Sequence, residues 1–190
     1  MEAVLIGVSD RSSLCRHGKL KQADYDAFVK EYACFLAEKF DNIIVTPDDG
    51  VYTDIAAEFG KLTGRKPIAY YPDKDKLYGI KHIEKNFPNY ELRPIKGDWY
   101  KLNAELTKQA PIVICLGFSP GTMIELAFIK YHQKYGSAKD NRLKNICLLI
   151  DERCISQRLP PSFEEQINNI SYYTSLTELA KLIKEKKAKW

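Results

Sequence analysis

The sequence predicts an α/β domain with a doubly wound, mainly parallel sheet and helices on both faces. Short apolar runs rich in β-branched residues recur along the chain. Segments with apolar residues at helical spacing stand between these runs, so strands and helices of ten or more residues alternate. Such strands are joined by right-handed crossovers, and near-continuous apolar strands are typical of sheets that are covered on both faces. With 190 residues and no convincing linker or internal repeat, residues 1–190 are expected to form a single domain.

The first half of the chain is predicted to contain three strands and two helices. The strands are expected at Ala3–Ser9, Asn42–Thr46 and Lys66–Pro72. The helices are expected at Gln22–Phe40 and Val51–Leu62, and Gly64 provides the stop signal for the second helix.

The second half continues the alternation. A short helix is predicted around Ile80 to Phe87, and Pro94 favours an edge position for a strand at Tyr90–Ile95. The further predicted strands are Pro111–Phe118, Asn145–Asp151 and a short last one at Ser171–Thr174. The further predicted helices are Asp98–Gln109, Thr122–Tyr135 and Ser175–Lys189, the last with Thr174 or Ser175 as its N-cap. The stretch Asp151–Asn169 is expected to be loop-like, with a short helix near Glu164.

Composition narrows the class of protein. No apolar run reaches the ~20 residues that cross a bilayer, and the start of the chain lacks the pattern of a signal peptide. We therefore expect a cytoplasmic protein without membrane contact. The five cysteines form no CxxC pair, so neither a metal site nor a bound cofactor is expected. Cys115 and Cys147 lie in apolar runs and are interpreted as core residues.

The net charge of +4 is confined to the end of the chain. The last ten residues contain five lysines and one glutamate, so the remainder is neutral. A lysine-rich helix end suits the negative end of the helix dipole. Nucleic acid is therefore considered an unlikely partner.

The polar loop after the first strand, Gly7–Lys19, is one candidate binding segment. Ligands of open parallel sheets bind beyond the carboxyl ends of the strands. Gly7, Ser9 and Arg11 would offer backbone amides, a hydroxyl and a cation to an anionic group. A solvated surface loop is the alternative interpretation.

The loop after the second strand reads Pro-Asp-Asp-Gly and contains a turn signature, Asp49-Gly50. Asp49 could cap the following helix. Alternatively, Asp48, Asp49 or Asp54 would bind a sugar hydroxyl or the edge of a base. Adjacent acids repel phosphate, so no phosphate is assigned to this loop.

The stretch "GFSPGTMIEL" forms the third candidate loop. Ser119 is expected to cap a helix whose first turn contains Pro120. Gly121 and Thr122 would let an anion approach the helix amides, and Glu125 lies one turn further on. An ordinary capped helix with a favourable acid in its first turn is the alternative.

This stretch resembles the PGGxGTxxE motif of the Lonely Guy (lysine-decarboxylase-like) family and of the wider Rossmann-like nucleotide-binding superfamily that includes DNA-processing protein A. The resemblance implies a Rossmann-like fold. It also implies that Gly121 and Thr122 bind a nucleotide phosphate, and that Glu125 acts at the ribose and the glycosidic bond. Gly117, just before the motif, is a further candidate ligand-binding residue. Asn103 matches the asparagine of a pair that precedes the motif's strand in the family.

The chain also departs from this family pattern. One glycine of the motif is missing, since Phe118-Ser119 stands where the double glycine is usual. Leu102 stands where an arginine is expected, and Pro-Asp-Asp-Gly replaces a triple-glycine loop. These differences favour nucleotide binding over catalysis.

The function expected from the sequence is therefore the binding of a nucleotide or nucleoside, with Ser119 and Glu125 in the site. An N-glycosidic hydrolase or a deoxyribosyltransferase with Glu125 as the catalytic acid is one alternative. A single-stranded nucleic-acid-binding protein is another. A homodimer is expected from the family and from the apolar helix "MIELAFIKYH". Residues 73–89 are interpreted either as a surface excursion or as a flap over the ligand.

Overall fold

Seven parallel strands form one sheet in the computed structural model. Residues 1–75, 83, 85–138 and 140–187 are described. The strands are β1 (Glu2–Gly7), β2 (Asn42–Val45), β3 (Ile68–Pro72), β4 (Glu91–Ile95), β5 (Ile112–Leu116), β6 (Cys147–Asp151) and β7 (Ile170–Tyr173). Their order in the sheet is β4-β3-β2-β1-β5-β6-β7, which is a doubly wound, Rossmann-like arrangement.

Helices pack on both faces of the sheet. Their bounds are α1 (Arg11–His17), α2 (Tyr25–Lys39), α3 (Val51–Thr63), α4 (Trp99–Leu106), α5 (Pro120–Lys134), α6 (Pro161–Glu164) and α7 (Leu176–Lys187). Short 3₁₀ turns lie at Gln22–Asp24, Gly136–Ala138, Asn141–Asn145 and Glu152–Cys154.

The central strand β1 separates two apolar cores. Its residues alternate, so that Ala3 and Leu5 join a cluster with residues of α2, α3 and α7. Val4 and Ile6 join a second cluster with residues of α4 and α5. Burial on both faces explains why the strands read as continuous apolar runs rather than as alternating ones.

The direction of winding reverses at β1. The chain builds β2, β3 and β4 on one side of β1, and then places β5, β6 and β7 on the other. Gly7 at the end of β1 pairs with Leu116 at the end of β5. In open α/β sheets, the crevice beyond the carboxyl ends of the strands at such a switch point is the usual ligand site.

Most of the predicted elements are confirmed, with ends that shift by a few residues. Pro94 lies in an edge strand as predicted. Cys115 and Cys147 are buried in the core. Gly64 ends α3 in a left-handed conformation, and Ser175 caps α7 by accepting the Glu178 N–H. Half of the helix predicted around Ile80 to Phe87 lies outside the described residues, and so do eight of the seventeen residues of the flap or surface excursion predicted at 73–89.

One expectation is wrong, and one of the two alternatives for Asp49 is ruled out. The loop interpretation of Gly7–Lys19 misses α1, which begins where the Asp10 carboxylate accepts the Ser12 N–H. Leu14 is the buried residue of this short helix, so no apolar period could reveal it. Asp49 does not cap α3, because the N-cap is Gly50, which has no side chain to accept a helix N–H.

In the described part of the chain, no helix has the length and apolar character needed to span a bilayer.

Candidate functional site

A pocket of about 240 Å³ lies beyond the carboxyl ends of β1, β2 and β5. It is lined by the loops that follow these strands and by the first turns of α4 and α5. The lining residues are Ile6, Gly7, Ser9, Thr46, Asp48, Tyr52, Trp99, Asn103, Ser119, Pro120, Gly121, Thr122 and Glu125. The structure therefore brings together Gly7, Ser9, Asn103, Ser119, Gly121, Thr122 and Glu125, which the sequence singled out. This cavity is called the Glu125 pocket below.

The start of α5 is fixed by a side-chain cap. Ser119 is the N-cap residue, and its hydroxyl accepts the Thr122 N–H at 3.2 Å. The Ser119 carbonyl accepts the Met123 N–H at 2.9 Å. Pro120 occupies the first helical position, where the lack of an N–H costs nothing. This confirms the predicted cap and explains the Ser-Pro pair.

Thr122 joins the start of α5 to the end of β1. Its hydroxyl donates to the Gly7 carbonyl at 2.8 Å and lies 2.9 Å from the Ser119 hydroxyl. The side chain is only 1% exposed. The Thr122 hydroxyl, which the resemblance to the family motif expects to bind a phosphate, thus already has a hydrogen-bond acceptor within the protein.

Glu125 lies one turn deeper and is 7% exposed. Among the residues that the structure describes, none makes a hydrogen bond or ion pair with its carboxyl group. Burial raises the pKa of this carboxyl from the usual 4.5 to about 8, because a charge loses the stabilisation of water there. At neutral pH the group is therefore mostly protonated, and it can donate one hydrogen bond as well as accept others.

The wall formed by the β2 loop carries a second acid. Asp48 lines the pocket together with Thr46 and Tyr52. Burial raises the pKa of the Asp48 carboxyl, although its hydrogen bond from the Asp49 N–H at 2.8 Å opposes this effect. Burial, and then the charge of Asp48, also raises the pKa of the Tyr52 phenol. The pocket thus contains two carboxyl groups and a phenol that keeps its proton.

The helix α4 supplies Asn103 and Trp99 to the pocket. Its N-cap residue is Asp98, whose carboxylate accepts the Lys101 N–H at 3.0 Å. The Trp99 indole N–H donates to Asp75 at 3.2 Å. Trp99 and Tyr52 were not identified from the sequence, because only the packing of α4 and α3 shows which of their side chains face the pocket.

Arg11 and Asp49 lie outside the Glu125 pocket, in a neighbouring cleft of about 430 Å³. Asp48 lines both cavities, and Phe87 and Tyr90 form part of the wall of the second. This second cavity is called the Asp49 cleft below.

Arg11 is already neutralised within the protein. Its guanidinium donates two hydrogen bonds to Asp54, at 2.5 and 2.6 Å. The Tyr25 hydroxyl donates to the same carboxylate at 2.6 Å. Arg11 and Asp54 are therefore ion-pair partners in this structure.

Gly50 and Gly117 line neither cavity and are required by packing. Gly50 has φ +149°, and a Cβ there would lie 2.7 Å from the Val8 carbonyl oxygen. Gly117 has φ +99°, and a Cβ would lie 3.0 Å from the Cys154 carbonyl oxygen. Both glycines thus allow the backbone segments around the strand ends to approach closely.

Arg93 and the five cysteines do not line the Glu125 pocket. The Arg93 guanidinium bonds to Glu91 at 2.8 Å, on the edge strand. In the described residues, no three His, Cys, Asp or Glu side chains are grouped so as to hold a metal ion.

Comparison with known proteins identifies structural neighbours only. No family model matches the sequence, and no curated protein sequence matches it. TM1055, solved as a structural-genomics target, superposes with a TM-score of 0.64 at 16% identity, over 97% of this chain and 98% of that one.

Two further structural neighbours are proteins of named function. The Moco carrier protein from Chlamydomonas reinhardtii superposes with a TM-score of 0.61 at 13% identity, over 100% of this chain and 98% of its own. DNA processing protein A from Helicobacter pylori, described for its single-stranded DNA binding mode, gives 0.57 at 15% identity, over 97% and 81%. The chain therefore has the Rossmann-like fold of these proteins, as its resemblance to the superfamily of DNA-processing protein A implied.

Proposed function

We propose that the chain binds a nucleoside or nucleotide whose sugar occupies the Glu125 pocket. The buried carboxyl group of Glu125 carries this proposal, because it lines the pocket and has no partner among the described residues. The carboxyl oxygens of Glu125 are open to the pocket, since in the described residues the only fully buried side-chain oxygen without a partner is Thr107 Oγ1. A ligand with hydroxyl groups would supply the missing partner.

The volumes of the Glu125 pocket and the Asp49 cleft favour a ligand made of two groups, such as a sugar and a base. The Glu125 pocket, at about 240 Å³, is smaller than the roughly 300–1,000 Å³ of typical ligand sites. The Asp49 cleft adds about 430 Å³ and shares Asp48 with it. A sugar in the first cavity and a base beside Phe87 and Tyr90 in the second would use both.

The lining of the Glu125 pocket suits a polyol. The hydroxyls of Ser9, Thr46 and Tyr52 and the amide of Asn103 surround the space next to Glu125. These groups can both donate and accept. Gly121 leaves room at the helix start, since a Cβ there would meet only the Ser119 hydroxyl oxygen, at 3.8 Å.

Cleavage of the N-glycosidic bond is a second candidate, favoured by the protonated state of Glu125. The acid would donate its proton to the departing base as the C–N bond breaks. The resulting carboxylate would stabilise the positive charge on the sugar and then take a proton from the attacking water. Water would thus be added across the bond, and Glu125 would regain its proton.

Calorimetric titration of the full chain with nucleosides and nucleoside monophosphates tests binding. We expect saturable binding that weakens in Glu125→Gln, because the amide cannot reproduce every hydrogen bond of the acid. Glu165→Gln is the matched control, since Glu165 is exposed and lines neither the Glu125 pocket nor the Asp49 cleft. Absence of binding across the whole panel would refute the proposal.

Chromatography of the same mixtures after incubation tests cleavage. Release of free base by the parent chain and by Glu165→Gln, but not by Glu125→Gln, would establish a glycosidase with Glu125 at its centre. Binding without release for every ligand would leave a carrier or sensor without chemistry. Titration with a single-stranded oligonucleotide in the same series tests nucleic-acid binding, whose affinity would fall steeply with salt.

The expected homodimer remains a prediction. The outward face of α5 exposes Ile124, Tyr131 and Tyr135. Sedimentation of the parent chain beside a Tyr131→Ser variant measures whether this face joins two copies.

A further inference from the structure

Resting on the proposed function, we propose that the sugar held in the Glu125 pocket carries no phosphate, so that the ligand class is nucleosides rather than nucleoside monophosphates. Three observations point to this class: the amides at the start of α5, the charges around the pocket, and the acid on its β2 wall.

The start of α5 has few free donors to offer an anion. Pro120 has no N–H, the Thr122 N–H donates to the Ser119 hydroxyl at 3.2 Å, and the Met123 N–H donates to the Ser119 carbonyl. The Thr122 hydroxyl is bonded to Gly7. Of the first three helical residues, only Gly121 keeps an N–H for a ligand. Phosphate sites at helix starts generally use several converging amides.

The cations nearest the end of β1 are already paired. Arg11 makes its two-point contact with Asp54, and the Arg16 guanidinium lies 3.1 Å from the Asp10 carboxylate. Neither side chain lines the Glu125 pocket. Recruitment of either arginine to a phosphate would leave a carboxylate without its partner, which offsets the gain.

The third observation is the acid on the β2 wall of the pocket, whose charge is negative when it is ionised. Asp48 lines the pocket together with Glu125. The Asp49 N–H donates to the Asp48 carboxyl at 2.8 Å, which favours its charged form. A carboxylate there repels a phosphate dianion, and a low-dielectric pocket strengthens that repulsion. The same carboxylate accepts hydrogen bonds from sugar hydroxyls, so it selects for the uncharged sugar.

Matched ligand pairs test this selection. The full chain is titrated by calorimetry with adenosine and AMP, guanosine and GMP, cytidine and CMP, and uridine and UMP, at constant salt. We expect at least one nucleoside to bind about tenfold or more tightly than its monophosphate. A monophosphate that binds as tightly as its nucleoside, or more tightly, in every pair that binds would overturn this inference and leave the proposed function intact. Binding by neither member of any pair would overturn the proposed function itself.

Asp48→Asn identifies the source of the selection. The amide keeps the shape of the side chain and removes its charge, so the preference for the nucleoside should fall severalfold, mainly through tighter binding of the monophosphate. Glu165→Gln, which lines neither the Glu125 pocket nor the Asp49 cleft, is the control and should keep the parent preference. An unchanged ratio in a folded Asp48→Asn would show that Asp48 does not exclude the phosphate.

Discussion

Replacing Glu125 by glutamine is expected to stabilise the protein, by an amount that grows with pH. In the native state the pKa of the carboxyl is about 8, compared with the usual 4.5 that applies to the unfolded chain. Between these values the unfolded chain releases the proton while the native protein keeps it. Stability is therefore lost as pH rises through this window, at up to about 1.4 kcal/mol per pH unit.

The magnitude follows from the same two pKa values. At about pH 5 the ionisation of Glu125 in the unfolded chain costs roughly 1 kcal/mol of stability, and at about pH 7 it costs up to about 3 kcal/mol. Glutamine resembles the protonated acid and does not titrate. The variant should therefore exceed the parent by a margin that widens between these pH values and becomes constant above about pH 8.

Urea unfolding of the ligand-free proteins at several pH values measures this margin. Glu165→Gln is the control, because an exposed carboxyl gives only a small difference. A margin for Glu125→Gln that is the same at about pH 5 and about pH 7 would refute a buried, protonated Glu125. A variant less stable than the parent at about pH 8 would refute it as well.

Three further predictions concern contacts at the ends of β1 and β6 and at the start of α3. Thr122→Ala should lose about 1–2 kcal/mol of unfolding free energy, because the buried Gly7 carbonyl loses its donor; Thr122→Ser should recover most of it in the same urea assay. Asp151→Ala should lose about 3–5 kcal/mol, since it leaves the partly buried Arg153 without its carboxylate partner; a loss below about 1 kcal/mol would contradict a buried pair. Gly50→Ala should lower the melting temperature, because its φ of +149° and a carbonyl 2.7 Å from the new Cβ cost roughly 1–3 kcal/mol or more; an unchanged melting temperature would contradict this.

The fold could be predicted because its signals are local or periodic. The apolar runs of β1, β5 and β6 are buried on both faces, and such burial leaves a direct trace in composition. The Ser119 cap and the Gly64 stop depend on neighbouring backbone atoms only. Those interactions are encoded within a few residues, so the sequence indicates them.

Short elements gave weaker signals. The helix α1 buries only Leu14, and a single apolar residue has no period. Asp49 and Gly50 are adjacent, and either can begin a helix. The structure places Gly50 at the N-cap because the backbone must pass close to Val8, a contact between distant parts of the chain.

The sequence alone determined the sheet class, most of the helices and the loops in which a site should lie, because these follow from burial and from short-range hydrogen bonds. Only the tertiary structure decided which side chains meet. In the folded chain the Thr122 hydroxyl donates to the Gly7 carbonyl, and Arg11 pairs with Asp54. Glu125 is buried in a pocket that Asp48 also lines. A hydrogen-bond partner, an ion pair and the pKa of an acid all depend on atoms from distant segments, and folding alone brings those atoms together.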